Sequence, residues 1–260
     1  MFTVLFLADI IGKPGREALS HRLPALMDLH KPDIIIANGE NSAGGFGVTE
    51  DCARELFTYG IECITTGNHV WDRKEVVSLF LKENRVIRPA NLPEENPGKG
   101  IYTGRKNGVK FAILNLLGRV YMGPADCPFK TADRELARLS DDIKIRIVDI
   151  HGEATSEKQA LGYYLDGRVT AVIGTHTHVA TDDLKILPGG TSYITDAGMT
   201  GPTESIIGMK KELIIQKFIT SMPVRYEVAS GPSILEGVVL RISEEGKTIE
   251  ASKIRDFFNG

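Results

Sequence analysis

Short, continuously apolar runs alternate with longer amphipathic stretches along the first two thirds of the chain. Residues 2–8 and 33–38 are rich in bulky apolar side chains and too short for a stable helix, so they predict buried β-strands. The same pattern predicts strands over residues 61–66, 109–116, 144–150 and 170–174. Helical spacing predicts helices over residues 16–30, 49–59, 72–83, 131–142 and 155–165. Thr49 is the predicted N-cap of the second helix, and Asp72 with Glu75 forms a capping-box-like start of the third. This alternation is typical of α/β proteins.

The pattern changes in the last third of the chain. Beyond Leu184, short strands and turns predominate, with one helix predicted near residues 210–220. Residues 237–242 and 248–253 predict a β-hairpin. Residues 84–99 contain three prolines and predict an irregular connection, and residues 122–129 a loop. Because no repeat or linker divides the sequence, we expect one α/β domain over residues 1–260, with an antiparallel-rich second half.

Composition narrows the class of protein. The chain of 260 residues has 31 Lys and Arg against 34 Asp and Glu, and its net charge of −3 argues against broad electrostatic binding of nucleic acid. Its three cysteines form no CxxC pair, which argues against a disulfide framework or a thiolate zinc site. No apolar run is long enough to span a bilayer, and the N-terminus lacks the basic start and cleavage site of a signal peptide. We expect a soluble, cytoplasmic protein.

Polar side chains follow the apolar runs where each predicted strand ends. These side chains belong to Asp9, to Asn38, Glu40 and Asn41, to Asn68 and His69, to His151, and to His176 and His178. Four of the six histidines are among them. Open α/β sheets bind their ligands at the carboxyl ends of strands. The sequence therefore predicts a site assembled from five separated segments.

The residue types suit a pair of divalent metal ions, since His supplies neutral nitrogen and Asp, Glu and Asn supply oxygen. Taken singly, each has a plainer interpretation: Asp9 as a helix cap, Glu40 in a turn, and His69 or His151 as a structural histidine. The coincidence of all of them at strand ends favours the metal site.

Other motifs are weaker. Residues 44–47 (GGFG) could cradle a phosphate but lack the Lys-Ser/Thr of a P-loop, so a flexible turn is the better interpretation. Residues 198–202 could line a cleft or form an ordinary turn, and Trp71 could stack on a base or pack in the core. No GxSxG elbow is present, which argues against serine-histidine-aspartate catalysis.

The order Asp, Gly-Glu-Asn, Gly-Asn-His, His, Gly-Thr-His-Thr-His resembles the calcineurin-like metallophosphoesterase superfamily. Two departures stand out. The usual Asp-x-His motif is absent, because Ile10 and Ile11 follow Asp9, and Glu40 occupies the place of a bridging Asp. With the stretches DIIGKPGR, ANGENSAGGFG, TGNHVWD, RPANLP and DIHGEATSEK, the chain resembles the YmdB-type subfamily over most of its length.

This resemblance implies a fold and a site. The fold is two mixed β-sheets packed as a sandwich and flanked by helices, with two metal ions at the strand ends. Iron is the metal that the resemblance favours, with manganese or zinc as alternatives. The implied ligands are Asp9, Asn41 and His178 for one ion, Asn68, His151 and His176 for the other, and Glu40 as a bridge between them. Asn41 stands in for the missing histidine, and His69 is the implied proton donor.

The resemblance also implies an activity, the hydrolysis of 2′,3′-cyclic nucleotides to 3′-nucleotides. Attack on phosphorus would come from a hydroxide that bridges the metal ions, while His69 protonates the leaving oxygen. Two alternatives remain open: a broad-specificity phosphomonoesterase or phosphodiesterase, and a metal-dependent regulatory protein with weak turnover. The expected partner is a small-molecule cyclic nucleotide or phosphodiester. We expect no stable nucleic-acid complex and no membrane, and the family favours a homo-oligomer.

Overall fold

The computed structural model describes residues 1–259, which form two β-sheets packed face to face and covered by helices. The strands of the first sheet, numbered in chain order with those of the second, are β1 (Phe2–Leu7), β2 (Asp9–Ile10), β3 (Ile34–Asn38), β4 (Cys63–Thr65), β5 (Val86–Ile87), β12 (Met199–Pro202), β13 (Ser233–Ile242) and β14 (Thr248–Phe258). The second sheet contains β6 (Ile101–Lys106), β7 (Val109–Leu117), β8 (Ile145–His151), β9 (Ala171–Thr175), β10 (Lys185–Ile186) and β11 (Ser192–Ile194). The helices of this part of the chain are α1 (Gly12–His30), α2 (Glu50–Thr58), α3 (Val76–Lys82), α4 (Pro128–Ala137), α5 (Thr155–Tyr164) and α6 (Lys211–Thr220).

Both sheets are mixed, as the family resemblance implies. In the first, the order is β2-β12-β13-β1-β3-β4-β5, with β14 beside β13; β1, β3, β4 and β5 are parallel and β13 is antiparallel to β1. In the second, the order is β10-β11-β9-β8-β7-β6, with a parallel centre and antiparallel edges. The carboxyl ends of the parallel strands in each sheet therefore share one edge.

Apolar side chains fill the space between the sheets and the space under the helices. Phe6 and Ile36 of the first sheet meet Phe111 and Ile147 of the second in one buried cluster. Strand residues that point the other way pack beneath α1, α2 and α3 on the first sheet, and beneath α4 and α5 on the second. Because these strands are covered on both faces, their sequences are continuously apolar rather than alternating.

Some element boundaries differ from the sequence prediction. Helix α1 begins at Gly12 rather than residue 16, since Pro14 lies in the first turn, where its missing N–H costs nothing. Helix α3 begins at Val76, and Asp72 does not cap it, because the Asp72 carboxylate bonds His69 instead. Helix α4 begins at Pro128, within the predicted loop, and ends at Ala137.

The sequence prediction missed the short edge strands β2 and β5, the second of which lies within the predicted irregular connection, and the longer edge strand β6; it also underestimated the last hairpin. Strand β6 is largely exposed, and so lacks the apolar run that marks the central strands. Strands β13 and β14 extend to Ser233 and Phe258 because they pair along almost their whole length. Within residues 1–259, no helix is both long enough and apolar enough to cross a bilayer.

Candidate metal centre

The strand-end side chains predicted from the sequence do assemble at one edge of the sandwich. Asp9 lies on β2, His151 is the last residue of β8, and His176 follows β9 directly. Glu40 and Asn68 lie in the loops that follow β3 and β4. The backbone N–H of His176 donates to Asp9 Oδ2 at 3.2 Å, which ties the edge of one sheet to the other.

Four donor atoms converge on one point. His151 Nε2 lies 2.9 Å from Asn68 Oδ1, 2.9 Å from Glu40 Oε1 and 3.1 Å from His176 Nδ1. A single proton on His151 could satisfy only one of these three neighbours. A cation between them would satisfy all four, and mixed nitrogen and oxygen donors suit iron, manganese or zinc.

The outer nitrogen of each of these histidines has its own partner. Thr175 Oγ1 gives its proton to Asp149 Oδ1 at 2.7 Å, so it accepts from His151 Nδ1 at 3.0 Å. His176 Nε2 lies 3.1 Å from Glu153 Oε2. When the outer nitrogens donate, the lone pairs of the inner nitrogens face the convergence point, which is the arrangement of metal-binding histidines.

A second group lies beside the first. His178 Nδ1 donates to the Ile207 carbonyl at 3.0 Å, which leaves Nε2 for the site. That Nε2 lies 3.2 Å from the Asn41 side-chain amide and 3.6 Å from Asp9 Oδ1. The three residues implied as ligands of the first ion are thus together. Glu40 Oε2 accepts the His69 N–H at 3.1 Å, and its role as a bridge remains a prediction.

The residues present fit a bound metal by a further observation. Asp9 Oδ1 and Glu40 Oε1 are buried and, among residues 1–259, accept no hydrogen bond. A buried carboxylate oxygen without a partner is costly, and a cation would remove that cost. Because Gly67 has no side chain, the backbone there can lie directly against His151 and Glu40. A methyl group at this position would lie 2.2 Å from His151 Cδ2 and 2.4 Å from Glu40 Oε2.

The electrostatics also favour positive charge here. Burial opposes ionisation of His151, but the Glu40 and Asp9 carboxylates outweigh it and raise its pKa to about 9. Burial and the neighbouring His151 lower the pKa of His176 to about 3. Burial alone would raise the pKa of Asp9, but hydrogen bonding and attraction to His178, together with attraction to His151, lower it to about 2.

The loop that carries His176 and His178 is held in an unusual conformation. Both residues have positive φ, +106° and +61°, which is rare for side chains other than glycine and common at functional sites. The Thr177 N–H donates to Asp196 Oδ2 at 3.0 Å. Lys158 Nζ donates to the same carboxylate at 3.1 Å and to the Thr175 carbonyl at 3.2 Å. Lys158 and Asp196 thus form a buried ion pair that fixes the loop.

Asp149 joins strands of both sheets behind the site. It accepts from Asn38 Nδ2 at 3.1 Å, from Thr65 Oγ1, and from Thr175 Oγ1 at 2.7 Å. Burial raises the pKa of Asp149 to about 6. The sequence places Asp149 at a strand end and Lys158 in a helix but assigns neither a role. The only feature of the sequence that could have pointed to them is their charge, because their burial is known only from the fold.

His69 lies at the rim rather than among the ligands. Its side chain is 30% exposed, whereas those of Asp9, Glu40 and His151 are buried. His69 Nδ1 lies 2.9 Å from Asp72 Oδ2, which fixes the ring. The ring centroid of Phe46 is 4.9 Å from that of His69, edge to face.

The weaker motifs have separate outcomes. Gly44, Gly45 and Gly47 have positive φ, so residues 44–47 form a tight turn in the loop that also carries Asn41. Trp71 packs edge to face against Phe80 with a centroid distance of 6.0 Å, so its contact is one of packing.

The chain is similar to known proteins over almost its whole length. The family described as YmdB-like protein matches residues 5–254. The 2′,3′-cyclic-nucleotide 2′-phosphodiesterase of Bacillus subtilis (strain 168) is 48% identical over 244 residues, which cover 94% of this chain and 92% of that protein. A solved structure described as a novel phosphatase from Mycoplasma pneumoniae is 34% identical, with a TM-score of 0.94, and the match covers 99% of this chain and 94% of that one.

A more distant structure shares only the fold. The 5′-nucleotidase precursor from Thermus thermophilus is 11% identical, with a TM-score of 0.60 over 99% of this chain and 54% of that one. The sandwich is therefore of the metallophosphoesterase and 5′-nucleotidase type. Because the family match extends over almost the whole described sequence, the chain belongs to the YmdB-like protein family.

Proposed function

We propose that this hydrolase converts 2′,3′-cyclic nucleotides to 3′-nucleotides at the strand-end centre. The observation that carries the proposal is the convergence of Glu40 Oε1, Asn68 Oδ1 and His176 Nδ1 within 3.1 Å of His151 Nε2. The substrate class rests on the 48% identical relative, whose name gives that activity. Both supports are needed, since the ligand set alone suits many phosphoric esters.

The proposal requires two metal ions, one held by Asn68, His151 and His176 and the other by Asp9, Asn41 and His178. When bound, such ions supply a nucleophilic hydroxide near neutral pH and stabilise negative charge on the phosphoryl oxygens. The chain itself orients the ligands: Glu153 and Thr175 fix two imidazoles from outside, and Ile207 fixes the third.

His69 is the proposed proton donor to the departing 2′ oxygen. Asp72 holds Nδ1, so Nε2 remains for proton transfer, and Nε2 makes no hydrogen bond among residues 1–259. The Glu40 carboxylate accepts the His69 backbone N–H at 3.1 Å, which places the proton donor next to the metal ligands. Proton transfer to a leaving oxygen contributes about 10²–10⁴-fold in such reactions.

The metal and the compartment belong to the same proposal. We propose iron as the metal, with manganese or zinc as substitutes, because the N/O donor set accepts all three. We place the reaction in the cytoplasm, where the free thiols of Cys52, Cys63 and Cys127 would stay reduced. Homo-oligomerisation remains a prediction.

A second candidate activity is phosphomonoester hydrolysis. The Mycoplasma pneumoniae relative is described as a phosphatase, and the same ligand set could act on a monoester. A monoester has one ester bond and one more ionisable oxygen than a diester, so the groups that surround the phosphate decide which of the two is hydrolysed.

The deciding experiment is product analysis. Protein loaded with Mn²⁺ or Fe²⁺ is incubated with 2′,3′-cyclic AMP, and the 2′- and 3′-monophosphates are separated, with a chelated sample as control. We expect metal-dependent formation of 3′-AMP. No turnover in protein that holds two metal ions per chain would refute the diester substrate, and 3′-AMP and 5′-AMP would then test the phosphatase alternative.

A further inference from the structure

A basic cleft lies beside the proposed proton donor. It has a volume of about 630 Å³, and its charged lining residues are Lys13, Arg73, Arg225 and Glu227. Tyr226 lies between the last two. Glu227 has its own partner, since Lys210 Nζ donates to it at 2.6 Å. Glu227 is therefore paired with a lysine that is not part of the cleft lining.

Neither arginine forms an ion pair at contact distance within the described part of the chain, although Arg225 is close enough to Glu227 to help lower the pKa of that carboxyl, after the larger effect of Lys210. Arg73 Nε donates to the Phe46 carbonyl at 2.9 Å, and its Nη2 donates to the Ala43 carbonyl. Neither contact neutralises the guanidinium charge, but both fix its position. Arg225 is exposed and forms no ion pair among residues 1–259. Lys13 lies 3.2 Å from Glu17, one turn along α1, in an exposed pair of little energetic value.

One aromatic ring, that of Phe46, lies between the cleft and the metal centre. The ring of Phe46 contacts His69 on one side, with centroids 4.9 Å apart, and stacks on Tyr226 on the other, with centroids 6.2 Å apart. The carbonyl of Asn41 accepts the N–H groups of Gly12 and Gly45 at 2.9 and 3.1 Å. Gly12 directly precedes Lys13 and Gly45 directly follows Gly44, and both Lys13 and Gly44 line the cleft.

The reaction geometry says what part of a substrate would lie here. If His69 protonates the 2′ oxygen, the P–O2′ bond breaks on the His69 side while the 3′ oxygen keeps the ribose bonded to phosphorus. The ribose then lies on the His69 side, and its 5′ carbon extends away from the metal centre. A fixed arginine with two further cations suits a phosphate group, since guanidinium–phosphate hydrogen bonds are charge-assisted. An uncharged 5′ hydroxyl would leave the three cations unused.

We propose that Lys13, Arg73 and Arg225 form a subsite for a phosphate on the 5′ oxygen of the substrate nucleotide. This inference rests on the proposed function and narrows its substrate. The favoured substrates would carry a second phosphate, either as a 5′-monophosphate or as the last internucleotide phosphate of a short RNA that ends in a cyclic phosphate.

The test compares three substrates on metal-loaded protein: adenosine 2′,3′-cyclic phosphate, its 5′-phosphorylated form, and the dinucleotide ApA with a 2′,3′-cyclic end. We expect kcat/KM for the second to exceed that for the first by about tenfold, the effect of one or two charge-assisted hydrogen bonds. In Arg225→Ala and Lys13→Ala this ratio should fall towards one. Lys211→Ala is the matched control, because Lys211 pairs with Glu204 and does not line the cleft. The dinucleotide distinguishes a terminal from an internal phosphate.

An equilibrium measurement separates the subsite from the activity. Calorimetry of metal-loaded protein should show adenosine 3′,5′-bisphosphate binding more tightly than 3′-AMP, and Arg225→Ala should abolish the difference. If no substrate is hydrolysed but this difference is found, the proposed function fails and the subsite stands. If turnover occurs with equal kcat/KM for the first two substrates and the two ligands bind equally, the subsite is overturned. Equal loss towards every substrate in Arg225→Ala would overturn it as well.

Discussion

His151 Nε2 and His176 Nδ1 lie 3.1 Å apart at the centre of the site. Since Thr175 and Glu153 lie against the outer nitrogens of these rings, two lone pairs would face each other across this gap when the outer nitrogens donate. Such an arrangement is repulsive unless a proton or a cation lies between them.

Replacement of Glu40 by glutamine should strip the centre of metal. The change removes a buried negative charge beside His151 while it keeps the shape of the side chain. We expect metal content, measured by inductively coupled plasma mass spectrometry, to fall far below that of the wild type. Glu153→Gln is the control, since it alters an exposed contact to a ligand and should cost only about 10–100-fold in metal affinity. Full metal occupancy in Glu40→Gln would contradict the assignment.

Substitution of His69 by alanine should separate chemistry from metal binding. We expect kcat to fall by about 10²–10⁴-fold while metal content stays near that of the wild type, because His69 contacts the ligands only through its backbone N–H. Asp72→Asn should lower kcat by less, since it affects only the orientation of the ring. Loss of metal from His69→Ala would place His69 among the ligands.

Asp149→Asn should weaken metal binding although Asp149 is not a ligand. It holds Thr175, which in turn positions His151, so we expect about 10–100-fold lower metal affinity. Titration with Mn²⁺, followed by equilibrium dialysis, measures this directly. Asp142→Asn is the control, as Asp142 forms an exposed ion pair with Lys110 on the surface. Equal affinity in both variants would show that Asp149 has no positioning role.

Gly67→Ala should be far more harmful than its size suggests. The added methyl group would lie 2.2 Å from His151 Cδ2 and 2.4 Å from Glu40 Oε2, closer than atoms can approach. We expect loss of metal and of activity, with circular dichroism used to confirm folding. Gly123→Ala provides the comparison, because a methyl group there meets nothing within 4 Å. An active, metal-loaded Gly67→Ala would contradict this prediction and would mean that His151 and Glu40 can move to make room for the methyl group.

Lys158→Met should destabilise the whole fold. It leaves the buried Asp196 carboxylate without its cation, and the loss of one partner of a buried ion pair costs about 3–5 kcal/mol. Urea unfolding measures the change in free energy of unfolding. Lys211→Met removes an exposed pair with Glu204 and should change stability by no more than about 1 kcal/mol. Similar values for the two variants would refute the role of the pair.

The sequence by itself determined where the site would be. Apolar runs mark strands because those strands are buried on both faces, and the polar residue that ends each run lies where the parallel strands share an edge. Asp9, Glu40 and His151 could therefore be named without coordinates. Thr49 could also be named as a helix cap, because the bond from the Cys52 N–H to its side chain is local, at 3.3 Å.

Only the tertiary structure decided which contacts form between residues that are distant in the sequence. Asp72 leaves its predicted capping position because His69 offers it a hydrogen bond at 2.9 Å, and helix α3 starts later as a result. Asp149 and Lys158 acquire their roles because the sandwich brings Asn38 and Asp196 to them, 111 and 38 residues away along the chain. The local sequence pattern contains no information about such distant partners. The nitrogen that each histidine turns to the site is likewise set by groups that only folding brings together.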